Sequence, residues 1–245
     1  QSYWINPETY EALRIYIDMN FDGLRNAIIS MLGGLGCEID AGTFQNDMTS
    51  FSGKDDVLTL LVHLGYLAYD EEGCKVYIPN DEVRAEFLRA VKGSGWNEVA
   101  DAVRDSEALL EATLRMETET VAKAIDAVHS DSTSILSYND ENSLSCVIAL
   151  AYYSAKKDYT IIRELPTGKG FADMVFLPRR NSDKPAIIVE LKWNHSAKGA
   201  IYQIKEREYM KALEDYKGNL LLVGIDYDKK SKTHKCEIEK ISTAY

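Results

Sequence analysis

Apolar residues recur at intervals of three and four through most of the first 130 positions, and after that they gather into short β-branched runs. The first pattern predicts helices and the second predicts strands, because side chains share a face every 3.6 residues on a helix and every two on a strand. Leu13, Ile17 and Phe21 mark one helix, residues 21–32 a second that stops at Gly33-Gly34, and Val57, Leu60, Leu61 and Leu64 a third that starts on Asp55-Asp56. Residues 37–54 are mixed and polar. Tyr66-Leu67-Ala68-Tyr69 and Lys75-Val76-Tyr77-Ile78 flank Asp70-Glu71-Glu72-Gly73, which predicts a hairpin, and Asn80 or Asp81 caps a helix carrying Val83, Phe87 and Val91. Helix, hairpin, helix outlines a winged-helix-like unit. From Trp96 to Val128 no glycine or proline interrupts an apolar stripe, so two or more packed helices are expected, and Asp131-Ser132-Thr133-Ser134 is the expected boundary between a 1–133 region and a 134–245 domain.

The second part alternates its elements differently. A helix is expected over residues 140–156, a strand over 159–165, strands at 170–177 and 185–193, a helix over 197–216, and strands over 219–225 and 235–241. That order, αβββαβ with one added strand, predicts an α/β domain with a mixed sheet covered by helices, and an α+β protein when the helical first part is included. Its centre is the hairpin formed by Gly170-Phe171-Ala172-Asp173-Met174-Val175-Phe176-Leu177 and Pro185-Ala186-Ile187-Ile188-Val189-Glu190-Leu191-Lys192-Trp193, whose prolines suit strand edges. A turn centred between Asn181 and Ser182 places Asp173 opposite Glu190, with Lys192 expected on their face. Two like charges held together need a cation. Without one, each carboxylate would raise the pKa of the other.

Charge sharpens this division. The chain carries a net charge of −11, which argues against a nucleic-acid partner. However, residues 1–133 hold 10 Lys+Arg against 24 Asp+Glu, while residues 134–245 hold 18 against 15. The acidity belongs to the first part, where it favours a protein partner over DNA, and the hairpin half is mildly basic. Cys37, Cys74, Cys146 and Cys236 form neither a CxxC pair nor a zinc spacing, so reduced thiols are expected. His195, two residues past Trp193, could approach the acids or be an ordinary loop histidine. No run reaches the roughly 18 apolar residues of a membrane helix, and no basic-then-apolar leader opens the chain, so a cytoplasmic protein is expected. The opening Gln1 reads as a cut from a longer protein or a processed end.

At these residues the chain resembles the PD-(D/E)XK nuclease superfamily, whose acid-then-(D/E)-x-K signature matches Asp173, Glu190, Leu191 and Lys192, with a helix carboxylate matching Glu141. More closely, Tyr138-Asn139-Asp140-Glu141-Asn142, Arg163-Glu164-Leu165-Pro166-Thr167-Gly168-Lys169-Gly170-Phe171-Ala172-Asp173, Ile188-Val189-Glu190-Leu191-Lys192 and Gln203-Ile204 are similar to the nuclease-like domain at the C-terminus of bacterial AAA-ATPase-like proteins. In the acidic part, Leu64-Gly65-Tyr66-Leu67 and Ile78-Pro79-Asn80-Asp81-Glu82-Val83 are similar to the linker region of that family. This sequence has no GxxxxGK[ST] loop, so the resemblance implies the C-terminal part of an ATPase-containing protein.

The resemblance implies a restriction-endonuclease-like core and Mg²⁺- or Mn²⁺-dependent hydrolysis of a nucleic acid, DNA first. Asp173, Glu190 and Glu141 are expected as metal ligands, with the Leu191 carbonyl beside them and Lys192 orienting the attacking water. Gln203 and Glu164 are expected on the substrate side, with bracing of the site and plain surface positions as their alternatives. Lys198, Lys205, Arg207 and Lys211 could track phosphates, but Glu206 and Glu208 between them favour an ordinary solvated face. The competing expectation is a catalytically inactive nuclease-like module that binds protein or nucleic acid and regulates an attached ATPase.

Overall fold

The computed structural model describes residues 7–40, 42, 51–132, 141–167, 169–179, 182–216 and 219–241. The chain divides into two units, residues 1–101 and 102–245. The division falls before the boundary expected at Asp131–Ser134, of which Thr133 and Ser134 lie outside the described residues. Helices of the 102–132 stretch therefore go with the sheet that follows them.

The first unit contains α1 (Pro7–Asp18), α2 (Leu24–Leu32), β1 (Cys37–Glu38), α3 (Lys54–His63), β2 (Ala68–Asp70), β3 (Lys75–Tyr77) and α4 (Asp81–Gly93). Its strands form an antiparallel sheet in the order β1-β3-β2, and the expected hairpin pairs Tyr69 with Val76. Leu13, Ile28, Leu61, Val76 and Phe87 are buried, one from each of five elements. The expected cap is present, since the Asn80 side chain accepts the Val83 N–H at 2.9 Å. β1 was unexpected, because two residues carry no readable alternation. So was the buried Arg84, whose guanidinium donates to the carbonyls of Met31 and Leu32, both at 2.8 Å, and so satisfies the open end of α2.

α5 (Asn97–Leu114) crosses into the second unit, which continues with α6 (Thr118–Ser132), α7 (Glu141–Ala151), β4 (Tyr159–Thr167), β5 (Gly170–Pro178), β6 (Ala186–Trp193), α8 (Ala197–Glu206), β7 (Leu220–Asp228) and β8 (Thr233–Ile241). The sheet order is β4-β5-β6-β7-β8, antiparallel except for β6 and β7, which run parallel because α8 crosses between them. The αβββαβ order with an added strand is thus present as a mixed five-stranded sheet. Ile201 and Ile204 of α8 cover Val175, Ile188 and Leu222, forming one half of the core. On the opposite face Phe176 meets Tyr152, with ring centroids 5.3 Å apart, and the Tyr152 hydroxyl is 2.7 Å from Thr113 Oγ1 of α5. No helix among the described residues is long and apolar enough to cross a membrane.

α6 is fastened to β8 by Asp126, whose Oδ1 accepts the His234 backbone N–H at 2.7 Å and lies 2.8 Å from His234 Nδ1. His129 stacks obliquely on Tyr227, centroids 4.6 Å apart, and both histidines are buried. Burial lowers the His129 pKa to about 4, and it lowers that of His234 against the upward pull of Asp126. The folded chain keeps both rings neutral where the unfolded chain takes up protons, so stability is full above pH 6.5 and falls as pH drops toward 4. His129 alone should cost roughly 2 kcal/mol of stability at pH 5. Urea unfolding at pH 7.5 and pH 5.0 measures this; an equal loss in wild type and His129→Leu would show that the ring does not carry it.

Candidate active site

The β5–β6 hairpin has the expected register, pairing Met174 with Val189, Val175 with Ile188 and Phe176 with Ile187. Residues 180 and 181 of its turn lie outside the described residues. The ladder ends where the acids begin, one step past Met174 and Val189. There Asp173 Oδ2 accepts the Leu191 N–H at 2.6 Å, so a side chain stands in for a backbone partner. Ala172 and Val175 both belong to the apolar cluster under α8, although strict alternation would put them on opposite faces. The alternation of β5 is therefore broken between them, next to Asp173. The Asp173 carboxylate reaches the β6 backbone next to Glu190.

Glu190 and Lys192 do share a face, being two apart on β6. Lys192 Nζ donates to Glu190 Oε1 at 2.8 Å, and the Glu190 side chain is only 2 % exposed. Gln203 of α8 donates to the same oxygen, and its Nε2 is also 3.2 Å from the Tyr209 hydroxyl. Gln203 thus braces a catalytic candidate. In the parallel ladder Glu190 lies beside Gly224 and Lys192 beside Asp226. The bare Gly224 lets α8 come close, since a Cβ there would collide with the Ala197 carbonyl oxygen and lie 2.9 Å from Ala200 Cβ. That approach puts Gln203 within reach of Glu190.

The buried Asp226 orders the loop between β6 and α8 by accepting the His195 N–H at 2.9 Å. Ser196 then caps α8 through its hydroxyl, which accepts the Gly199 N–H at 3.0 Å. Lys192, Trp193, His195, Ser196, Gly199 and Gln203 line a cavity of about 640 Å³ beside the carboxylates. His195 therefore faces the cavity rim, exposed.

Glu164 is exposed on β4, between the pairs Arg163–Met174 and Leu165–Ala172, and so is in register with Asp173. Its φ of 49° is left-handed, a conformation that costs a non-glycine residue energy, and it falls opposite the break in the alternation of β5. Glu141 opens α7, but its side chain lies outside the described residues. Arg163 of β4 donates to Ser145, which ties α7 to the sheet. Lys205 is spent on Glu239 of β8 at 2.5 Å, as a solvated face requires.

Tyr209 and Asp226 carry no site signal in the sequence, and Arg207 reads there only as one of four cations on a solvated helix face. α8 stops at Glu206, and Glu208 has φ 57°, so the chain turns Arg207 and Tyr209 back against Gly170. No glycine or proline marks that stop.

Among the described residues, no group of three or more His, Cys, Asp or Glu side chains is placed to hold a metal ion. The donor set nevertheless suits Mg²⁺ or Mn²⁺, which are hard cations bound through one or two carboxylates with water and phosphate completing the shell. Asp173 and Glu190 supply those two carboxylates on adjoining strands.

A five-stranded mixed sheet, a leading helix on one face, a crossover helix on the other and an acid, E-x-K hairpin at its centre make this a restriction-endonuclease-like fold. The sequence profile of the PD-(D/E)XK nuclease superfamily matches residues 139–237, a stretch that runs from the start of α7 into β8 and contains every site residue named above. That match points to a nuclease. No curated protein and no solved structure matches the chain.

Proposed function

We infer that the second unit hydrolyses phosphodiesters, DNA first among them, with the help of a divalent metal. The observation that carries this reading is the placement of Asp173 against the Leu191 amide, beside a buried Glu190 held by Lys192 and Gln203. Asp173 and Glu190 would hold the Mg²⁺ or Mn²⁺, with Glu141 and the Leu191 carbonyl as further ligands. When bound, the ion supplies charge stabilisation on the phosphoryl oxygens and a more acidic water.

The remaining work falls to the chain. Lys192, 17 % exposed, presents its ammonium at the cavity wall, where it can orient the attacking water and offset negative charge as the reaction proceeds. Gln203 keeps Glu190 oriented through the hydrogen bond it donates. Glu164, exposed on β4 in register with Asp173, is read as a substrate-side group.

The first unit is read as winged-helix-like, which the β1-β3-β2 order and the 70–75 hairpin support. Its acidity suits a protein partner or an attached ATPase domain in a cytoplasmic protein. The Glu190–Lys192 ion pair favours one second reading, a catalytically inactive module in which lysine and glutamate merely satisfy each other. Titration calorimetry with Mn²⁺ separates the two. The nuclease reading expects a binding site lost in both Asp173→Asn and Glu190→Gln; identical heats in wild type and both variants would favour the inactive module.

A further inference from the structure

Of the cations that could follow a phosphate chain, Lys205 and Arg207 differ in their surroundings. Lys205 is neutralised by Glu239. Arg207 is exposed and forms no salt bridge among the described residues, even though Glu206 and Glu208 flank it in sequence. Its backbone carbonyl accepts the Lys169 N–H at 3.3 Å, which fixes the segment after α8 to the start of β5.

Its side chain is held as well. A Cβ at Gly170 would lie 3.1 Å from Arg207 Nη1 and 3.2 Å from the Tyr209 hydroxyl, so guanidinium and hydroxyl press together on a surface left bare by glycine. Tyr209 is fully buried, and its hydroxyl also meets Gln203, which bonds Glu190. A chain of contacts thus runs from Arg207 through Tyr209 and Gln203 to the proposed catalytic carboxylate. The Tyr209 hydroxyl bonds this guanidinium, and the charges of Glu190 and Glu206 act on it without a salt bridge to either among the described residues. Keeping a cation oriented and unneutralised beside acidic groups has a clear use when an anion shares the site, and a guanidinium fork fits two oxygens of one phosphate.

We propose that Arg207 is a substrate-binding residue that grips a backbone phosphate of the nucleic acid next to the bond being cut, with Tyr209 as its positioning residue. This rests on the nuclease reading above. The phosphate it takes is sequence-independent, so Arg207 contributes affinity and registration of the strand but no base preference.

The test is fluorescence anisotropy of a fluorescein-labelled oligonucleotide, in EDTA so that nothing is cleaved, at several salt concentrations between 50 and 200 mM. Arg207→Ala should weaken binding about tenfold. It should also flatten the slope of log K against log[salt] by about 0.7 to 0.9, the loss of one phosphate contact. Arg207→Lys should keep the slope, and Tyr209→Phe should lose affinity with the slope unchanged, which a merely structural tyrosine would not do. An unaltered slope in Arg207→Ala overturns the proposal, as does a wild type that binds no oligonucleotide. Cleavage assays keep the two readings apart. If Arg207→Ala has the wild-type slope while Asp173→Asn is inactive, only Arg207 loses its role; if the slope drops while Asp173→Asn cleaves normally, the phosphate contact stands and the catalytic reading falls.

Discussion

Asp173→Asn is expected to lose at least about 10³-fold of Mg²⁺- or Mn²⁺-dependent cleavage while the protein stays folded. The asparagine keeps a carbonyl oxygen for the Leu191 N–H, the contact made at 2.6 Å, but removes the charge that a hard cation needs. Asp173→Ala should be just as inactive and less stable by about 1–3 kcal/mol, because it also strips that amide of its acceptor. Lys192→Ala should abolish activity too, and it cannot be innocent of stability. Its partner Glu190 is 2 % exposed, so removing the ammonium takes its salt-bridge cation from a buried carboxylate, at a cost of about 3 kcal/mol. Single-turnover cleavage read beside thermal melts distinguishes these effects. Wild-type rates in Asp173→Asn would end the metal-carboxylate mechanism.

Gly224→Ala should be the most destabilising of the small substitutions, by about 3 kcal/mol. The methyl would drive into the Ala197 carbonyl and crowd Ala200, so α8 must lift from the sheet. Ala197, Ala200, Ile201 and Ile204 are all buried, and that seat would be disturbed. Gln203 travels with the helix, so Glu190 also loses its brace. Urea unfolding should show a lower midpoint with an unchanged slope. A midpoint equal to that of wild type would mean that the helix does not sit as closely as described.

Much of the hairpin was legible because its signals agree. Prolines bound the strands, β-branched residues fill them, and a turn of known centre leaves one register, the one found in Val175–Ile188 and its neighbours. What followed was less legible wherever the backbone turned without a glycine. Met116 has φ 58° and separates α5 from α6 in a stretch where two or more helices are expected but no glycine or proline marks the break. Glu208 does the same after α8, which was expected to run to Tyr216, and so it hid Tyr209 and the turn that sets Arg207 apart from the helix face. The broken alternation of β5 near Asp173 lies opposite the left-handed Glu164 of β4, and no local pattern announces either. Long-range polar contacts such as Arg84 to Met31 are invisible for the same reason, since the two partners are unrelated in sequence.

The substitution of a carboxylate for a backbone partner at Leu191 also has a mechanical meaning. From Met174 to Phe176 the two strands are fastened by main-chain bonds, which are stiff. Beyond them the Asp173 carboxylate, on rotatable bonds, takes the place of a main-chain link to Leu191, so the hairpin behaves as a clothes-peg with a rigid spring and more compliant jaws. Small changes in the spacing of Asp173 and Glu190 can then be accommodated locally, and the buried sheet behind them need not move.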